Sequence, residues 1–337
     1  MAAKKRDPAQ DSSVDRVGSS CLYGPVPSWR LGRSLGVDPI PRKTCNWNCV
    51  YCQLGRTQPV VCRREDYVEP GVVVKALRHF FETHPQEDVD WVTFVGAGEP
   101  LLHAQIGRMI RDAVALTGLP VAVITNGSLL YRPEVRREVS AAQAVLPSLD
   151  AGNPTLYRRL NRPHPEVTFQ RHVDGLKAFR QEYDGELWIE VMLIRGLNDD
   201  DQALEEITSL LHQIRPDEIH INTPTRCPAE PWVEVSDTER VMQASVFFER
   251  VAPVRLAHAT DGAFNLSECD SVVDGIIGII TRHPMSEEEL GRALTCWAPG
   301  YEGEVLAKLA ESGRARVVLR GTKRFWQSAS SHFPGER

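Results

Sequence analysis

Residues 44–53, Thr-Cys-Asn-Trp-Asn-Cys-Val-Tyr-Cys-Gln, carry three cysteines in the spacing C-x-x-x-C-x-x-C. Three thiolates on one short loop, here Cys45, Cys49 and Cys52, can bind three irons of a [4Fe–4S] cluster and leave the fourth iron open to another ligand. A disulfide explains the spacing poorly, because the number is odd and the cysteines are close along the chain. Zinc is the alternative, but it needs a fourth Cys or His, and the chain has no second C-x-x-C.

A second motif lies further along the chain. Residues 91–95, Trp-Val-Thr-Phe-Val, predict a buried strand that leads into Gly96-Ala97-Gly98-Glu99-Pro100. Glycine and proline after a strand indicate by themselves only a turn. In this order after the cysteine motif, and with the aromatic Tyr51 directly before the third cysteine, the segment resembles the radical S-adenosylmethionine (SAM) superfamily.

The resemblance implies an α/β fold, namely a partial (β/α)6 TIM-like radical SAM barrel, with the cysteine loop after its first strand. It also implies two cofactors, a [4Fe–4S] cluster on the three cysteines and S-adenosyl-L-methionine, whose amine the Gly-Glu-Pro segment holds. The implied reaction is reductive cleavage of SAM to a 5′-deoxyadenosyl radical, which abstracts hydrogen from a substrate. The reducing electron would come from a donor of the flavodoxin or ferredoxin type.

Polar side chains follow several of the predicted strands. In parallel α/β sheets, binding sites lie at the carboxyl ends of the strands. Turn formation and helix capping are an equally good explanation for each residue taken singly. The resemblance places contacts to the SAM carboxylate, ribose and adenine there, with Ser148 and Asp150 on the ribose or carboxylate side. Glu190, inside an apolar strand, either faces the barrel mouth or pairs with an arginine, since burying an unpaired charge is costly. The predicted cofactor-binding positions are Tyr51, Gly96, Gly98, Glu99, Pro100, Thr125, Asn126, Ser148, Asp150, Glu190 and Met192.

Composition agrees with a soluble globular enzyme. The 337 residues are 42% hydrophobic and 25% charged, with a net charge of −6, which argues against a surface that is basic all over. No apolar run is long enough to span a membrane, and the polar start lacks the apolar segment of a secretory signal. We expect a flexible tail over residues 1–18, and a cytoplasmic protein because the eight cysteines show no pairing pattern. The other five cysteines are scattered, which favours a single cluster; of these, Cys227 could reach the site.

Basic residues form two groups near the predicted mouth, one around Arg30, Arg33 and Arg42-Lys43 and one around Arg158, Arg159 and Arg162. Charge runs are usually solvated, yet arginines beside a catalytic mouth suit phosphate or carboxylate groups.

The C-terminal region predicts a separate domain, which divides the chain into the tail, a barrel over residues 19–268 and a winged-helix-like domain over residues 269–330. The pattern gives helices near residues 271–282, 286–294 and 301–312, then a hairpin. The hairpin carries five basic residues that could contact nucleic acid, or it could dock a protein. These five are Arg314, Arg316, Arg320, Lys323 and Arg324.

Residues 24–36, 43–45 and 51–55 resemble the stand-alone radical SAM proteins that are grouped with the wyosine-tRNA synthases. The wyosine synthases carry extra upstream cysteines, whereas only Cys21 lies upstream here, so the wyosine reaction itself is not implied. We predict an enzyme that acts on tRNA or a nucleotide; the alternative is an activase or maturase acting on a protein or peptide. A redox sensor that binds DNA ranks last, because it would not need the Gly-Glu-Pro site.

Overall fold

The computed structural model describes residues 21–85, 88–257 and 271–331, without the side chain of Cys296. The predicted tail and the boundary at 268/269 lie outside the described residues. The strands are β1 (Leu22–Ser28), β2 (Gly32–Val37), β3 (Trp91–Phe94), β4 (Val121–Thr125), β5 (Ala144–Pro147), β6 (Glu186–Met192), β7 (Glu218–Asn222), β8 (Val254–Leu256), β9 (Met285–Ser286), β10 (Ala315–Arg320) and β11 (Lys323–Ser328). The α-helices are α1 (Pro70–Thr83), α2 (Ile106–Thr117), α3 (Pro133–Val139), α4 (Pro154–Leu160), α5 (Phe169–Glu182), α6 (Asp201–Ile214), α7 (Thr238–Phe248), α8 (Val272–Arg282), α9 (Glu287–Trp297) and α10 (Glu302–Glu311).

Eight strands form one sheet in chain order, from β1 at one edge to β8 at the other. The β1–β2 pair is antiparallel, and every later pair is parallel. Six strand–helix units run from β2 to α7, and the short β8 follows them. Within the described ranges no pairing joins β8 to β1, so the barrel is open. This arrangement confirms the predicted partial (β/α)6 TIM-like fold.

The strands separate two apolar layers. On β6, the side chains of Leu187, Ile189 and Val191 are fully buried in the large core between sheet and helices. The alternate residues Trp188 and Glu190 point to the opposite face, as the period of two along a strand requires. That face is the barrel interior, where a small apolar cluster forms the floor; it consists of Leu31, Ala122, Ala144 and Leu146, with Trp91, Ile124 and Trp188 packed against it.

The antiparallel β1–β2 hairpin was not predicted from the sequence. Its turn, residues 29–31, sends Leu31 into the floor of the barrel interior. Gly32, the first residue of β2 directly after this turn, has φ +63°, and a Cβ there would overlap the Asp90 carboxylate, so glycine is favoured at this position.

The helical stretch before β6, which the sequence predicts as continuous to about Phe179, is two helices, α4 and α5. The chain leaves the helix at Asn161, and Arg162 adopts φ +45°. The loop between the two helices instead pairs with the cysteine loop through Trp47 and Pro163. Tertiary contacts therefore override local helix propensity at this point.

Residues 271–331 form a compact unit, called here the C-terminal module. Its helices α8, α9 and α10 and its three-stranded sheet, in the order β10–β11–β9, surround an apolar core of their own. Ser286 and Glu289 form a capping box at the start of α9, in which each side chain accepts a hydrogen bond from the other residue's backbone N–H. In the part of the chain that the structure describes, no helix is both long and apolar enough to cross a bilayer.

Candidate functional site

The cysteine loop follows β2 and is fastened by backbone hydrogen bonds to several neighbouring segments. Val50 N donates to Leu160 O at 2.9 Å, and Asn48 N donates to Asn161 O at 3.0 Å. Leu160 and its neighbours form an apolar cluster beneath the loop, so Cys45 and Cys49 are only half-exposed. Backbone hydrogen bonds thus hold the loop in place without a bound ligand.

Each of the three thiols accepts a hydrogen bond from a side-chain N–H group. Cys45 Sγ accepts from Asn126 Nδ2 at 3.8 Å, Cys49 Sγ from Asn161 Nδ2 at 3.8 Å, and Cys52 Sγ from Lys43 Nζ at 3.3 Å. Donors in these positions stabilise negative charge on sulfur, as the second shell of a metal site does.

Burial acts in the opposite direction on the free thiols. It raises the pKa of Cys45 to about 12, and it raises the pKa of Cys49 well above its usual range, with further contributions from the neighbouring thiols. Burial therefore disfavours the thiolate forms of Cys45 and Cys49, so a bound metal centre must supply the free energy that removes their protons. Among the described residues, no three or more His, Cys, Asp or Glu side chains converge on a single-ion position. Thiolates that each bind a different iron of a cluster need not converge in that way, so the donor set fits the [4Fe–4S] group better than zinc.

The Glu99 carboxylate is buried beside this loop. It accepts hydrogen bonds from Thr125 Oγ1 at 2.5 Å, Asn126 N at 2.8 Å and Leu101 N at 2.9 Å. Burial raises its pKa to about 7 although the three donors oppose the shift. A cationic group placed beside Glu99 would favour the charged form.

The glycines of the Gly-Ala-Gly-Glu-Pro segment have a packing role. A Cβ on Gly98 would overlap Thr44 O, and a Cβ on Gly96 would overlap the Asp38 carboxylate. The segment lies directly against the cysteine loop, with Glu99 N donating to Thr44 O at 2.9 Å. Pro100 opens a buried single turn of 3₁₀-helix. Close backbone approach thus explains both glycines, while their predicted contact with SAM stays a prediction.

Asp150 is buried, and it links β5 to the cysteine loop. Its carboxylate accepts from Tyr51 Oη, from Asn161 Nδ2 at 2.7 Å and from Met192 N at 2.9 Å. Burial raises the pKa of Asp150, and these donors limit the rise. Tyr51, Asp150 and Met192, which the sequence assigned to SAM binding, therefore form one network around Cys49. Whether they also touch SAM stays a prediction.

Glu190 pairs with an arginine, which was one of its two predicted alternatives. Arg30 Nη2 lies 2.5 Å from Glu190 Oε1 and donates to Asn222 Oδ1 at 2.9 Å. The Trp29 ring packs beside His220 with a centroid distance of 5.0 Å. The hairpin turn thus brings an arginine to the polar layer above the barrel floor.

The chain resembles known proteins in both its sequence and its fold. The family model described as the radical SAM superfamily matches residues 40–207. A UPF0026 protein of Methanocaldococcus jannaschii is 30% identical over 299 residues, which cover 87% of this chain and 91% of that protein. The chain is a UPF0026 protein of the radical SAM superfamily.

Other relatives are longer than this chain, match only part of it, or share only its fold. A Brachyspira hyodysenteriae protein named GTPase Obg is 32% identical over 92% of this chain, but the chain spans only 45% of that relative's length. A GTP 3′,8-cyclase of Xanthomonas axonopodis is 28% identical over 47% of this chain and 46% of that protein. The solved structure of TYW1 with a lysine-pyruvate adduct covers 65% of this chain and 74% of its own, with 19% identity and a TM-score of 0.50, which supports the fold.

Membership in the radical SAM superfamily makes the protein an enzyme of the SAM-cleaving type. The superfamily uses a [4Fe–4S] cluster and SAM, and its members need a reductant. The predicted cofactors and the predicted class of chemistry are therefore confirmed.

One carboxylate that clamps the radical SAM cysteine loop was missed from the sequence. Glu230 is buried; Arg56 binds it through two N–H groups at 2.8 Å each, and Arg162 binds it at 2.5 Å. Glu230 N also donates to Val50 O at 2.9 Å. The sequence pointed to this clamp only through the group of arginines predicted near Arg162. In the structure Arg162 pairs with Glu230.

The remaining cysteines of the radical SAM protein lie in separate surroundings. Cys21, Cys62 and Cys227 are each buried. Cys227 lies near Arg320 of the C-terminal module. Cys269 and the side chain of Cys296 lie outside the described residues.

Two of the five basic residues on the hairpin of the C-terminal module form ion pairs with carboxylates of the module. Arg314 pairs with Asp274 at 2.6 Å, and Arg324 pairs with Glu287 at 3.3 Å, both within the module. Of the five basic residues, Lys323 is exposed at the turn.

Proposed function

We propose that Cys45, Cys49 and Cys52 bind three irons of the cluster and that SAM occupies the adjoining barrel mouth with its ammonium group at Glu99. The observation that carries this proposal is the contact between the two motifs: the backbone of Glu99 is hydrogen-bonded to Thr44, next to the first cysteine. When bound, the reduced cluster supplies the electron that cleaves SAM to a 5′-deoxyadenosyl radical.

The chain's own residues supply position and electrostatics. The three side-chain N–H donors hold the thiolates, and the apolar cluster beneath the loop keeps water away from them. Glu99 in its charged form would bind the ammonium group, with its other lone pairs already satisfied by Thr125 and by backbone N–H groups.

The other predicted SAM-binding residues fall into two groups, according to whether protein groups already hydrogen-bond to their side chains. Ser148 is half-buried at the end of β5, and its hydroxyl donates to none of the described residues, so we assign it a direct contact with SAM. Met192 packs against the cysteine loop and could add an apolar contact. Asn126 and Asp150 are already engaged by protein groups, so we assign them to positioning the loop.

For the substrate we propose a nucleotide or tRNA. Support comes from the relative named GTP 3′,8-cyclase and from Arg30, whose guanidinium lies in the polar layer above the barrel floor. An activase or maturase acting on a protein has no comparable support. We further propose that residues 269–330 are a winged-helix-like domain, that the electron donor is a flavodoxin or ferredoxin and that the protein is cytoplasmic.

The test uses the anaerobically reconstituted full chain. In each of the variants Cys45→Ala, Cys49→Ala and Cys52→Ala, we expect loss of the cluster absorbance and at least a hundredfold drop in 5′-deoxyadenosine formed from SAM with dithionite. The matched control is Cys62→Ala, which removes a buried cysteine away from the loop and should retain both. Retained 5′-deoxyadenosine formation in any one of the three loop variants would contradict the assignment.

A further inference from the structure

Two exposed arginines lie beside the cysteine loop and have no role in the site described so far. Arg158 and Arg159 form the last turn of α4, directly before Leu160, whose carbonyl accepts from Val50 N. Both side chains are exposed, and no carboxylate in the described ranges lies within 4.0 Å of either guanidinium. The sequence marked this basic group, but only its third member, Arg162, takes part in the clamp on the cysteine loop.

The packing of α4 determines where these two side chains point. Leu156, Tyr157 and Leu160 belong to the apolar cluster beneath the cysteine loop. Arg158 and Arg159 lie on the remaining side of the helix, which faces solvent. The short helix therefore presents two cations to solvent while its apolar side supports the loop.

Two more arginines and a tryptophan extend this surface around the loop. Arg56 and Arg162 share the single carboxylate of Glu230, and each arginine side chain is 35% exposed. Trp232, two residues further along, is 48% exposed, although the adjacent Val233 packs into the apolar cluster beneath the loop. We call this surface the loop patch; it consists of Arg56, Arg158, Arg159, Arg162 and Trp232.

The loop patch is positive on a chain whose net charge is −6. Its four arginines share one paired carboxylate, so three positive charges are left to attract an anionic partner. The patch also adjoins the cluster position, because Asn161, two residues after Arg159, donates to Cys49 Sγ at 3.8 Å. A partner that docks on the patch is therefore brought next to the cysteine loop.

A small acidic protein fits the loop patch better than a nucleic acid does. Tryptophan and arginine are enriched among the residues that dominate protein–protein binding. Electron-transfer proteins form small, transient interfaces, which a patch of this size can supply. A nucleic acid contacts many phosphates and would need a longer basic surface. Members of the radical SAM superfamily need a reductant, which gives such a partner its purpose.

We propose that the loop patch is the docking surface for the acidic electron-transfer protein that reduces the cluster. One electron passes from the flavin or iron–sulfur group of that protein to the cluster, so the donor is oxidised and the cluster is reduced by the same amount. The identification of the partner as the electron donor rests on the proposed function; the contact with an acidic protein does not.

The experiment uses the anaerobically reconstituted full chain with a purified acidic flavodoxin and, separately, an acidic ferredoxin. Isothermal titration calorimetry measures affinity for the oxidised donor, and stopped-flow absorbance measures reduction of the cluster by the reduced donor. In Arg158→Glu/Arg159→Glu we expect affinity and the second-order rate constant to fall about tenfold or more at about 0.05 M salt, because attraction becomes repulsion. This deficit should shrink at about 0.5 M salt, where charges are screened. Trp232→Ala should weaken binding at both salt concentrations, since its contribution does not depend on charge.

The matched control is Lys75→Glu/Arg78→Glu on the outer helix α1, where both side chains are exposed and the change in net charge is the same. It should bind and react within about twofold of wild type. Unchanged melting temperatures without a partner will show that the variants fold. Dithionite-driven 5′-deoxyadenosine formation should be unchanged in both double variants, so failure of docking and failure of the proposed function give different results.

Three results would overturn the proposal. The first is absence of salt-dependent binding of either donor to the wild-type chain. The second is equal donor affinity in the two double variants, which would reduce the effect to overall net charge. The third is loss of tRNA binding in Arg158→Glu/Arg159→Glu with donor affinity unchanged, which would assign these arginines to a nucleic acid.

Discussion

At the residue scale, the three thiols differ in the kind of group that donates a hydrogen bond to each sulfur. Cys45 and Cys49 accept from neutral amides, whereas Cys52 accepts from the ammonium group of Lys43. A full positive charge beside one sulfur stabilises the reduced cluster more than the oxidised cluster, because reduction adds negative charge.

The first residue-scale prediction follows from this difference. Lys43→Met should lower the midpoint potential of the reconstituted cluster by on the order of tens of millivolts, since the charge is removed and the site is otherwise kept. Lys43→Arg retains the charge and serves as the control. Potentiometric titration followed by electron paramagnetic resonance measures both, and equal midpoints for Lys43→Met and wild type would refute the role of the charge.

The second prediction concerns His172, which is buried beneath the cysteine loop. Its Nε2 hydrogen-bonds Ser148 O at 3.1 Å, and burial lowers its pKa to about 4. In the unfolded chain His titrates near pH 6.5, so between about pH 6.5 and 4 the unfolded state binds more protons. Stability is therefore lost as the pH falls through this window, by roughly 3 kcal/mol for this group.

Urea unfolding of the apoprotein at pH 4 to 8 measures that loss. In His172→Gln the group that titrates is absent, so the difference in free energy of unfolding between variant and wild type should change across this pH range and be constant above about pH 7.5. A pH-independent difference would show that His172 has the same pKa in the native and unfolded chains, which would contradict the lowered native pKa.

At the scale of elements, the regular strands and helices were predictable and the connections between them were not. The apolar run of β3 and its exit into the Gly-Glu-Pro segment are local patterns, and together with the cysteine motif they carry the family resemblance that implied the fold. The break between α4 and α5 was missed because its cause is distant, namely pairing of Pro163 with Trp47. The roles of Asn161 and Glu230 were missed for the same reason, since a polar residue in a loop gives no sign of its partner.

The element-scale prediction concerns the loop after β7, which holds the cysteine loop through Glu230. Glu230→Gln should reduce the free energy of unfolding by roughly 1–3 kcal/mol, because Arg56 and Arg162 lose their shared carboxylate. The cluster should also be lost faster to an iron chelator. The matched control is Glu234→Gln on the same loop, whose exposed pair with Arg195 at 3.5 Å should contribute less than about 0.5 kcal/mol. Equal chelation rates in the two variants would show that the clamp does not support the cluster.

At the scale of the whole molecule, the C-terminal module joins the two sides of an open sheet. Its contacts include Asp38 after β2, Gln53 just beyond the third cysteine, whose Nε2 donates to Arg282 O at 3.1 Å, and Arg226 after β7. The buried pair of Asp38 and Arg282 is the charged contact most shielded from water, with side chains 3% and 15% exposed. Removing one partner leaves the other charge poorly compensated.

The corresponding prediction is that Arg282→Gln loosens the module without unfolding it. Amide hydrogen exchange over residues 38–56 should speed up severalfold, and the cluster should bleach faster in air. Arg292→Gln, which removes an exposed pair with Glu288 on α9, is the control and should change neither. Unchanged exchange in Arg282→Gln would mean that the other contacts between the module and the barrel hold the module without this ion pair.

The docking of the module also sets an order of events during synthesis. The cysteines and their three N–H donors lie within residues 43–161, whereas the module that docks beside them lies later in the chain, at residues 271–331, and is synthesised after them. We therefore expect the loop to be most accessible to iron delivery before residues 271–331 fold beside it. We expect a cluster destroyed by oxygen in the finished protein to be rebuilt only as fast as the module undocks, so the strength of that docking determines how readily the cofactor is repaired.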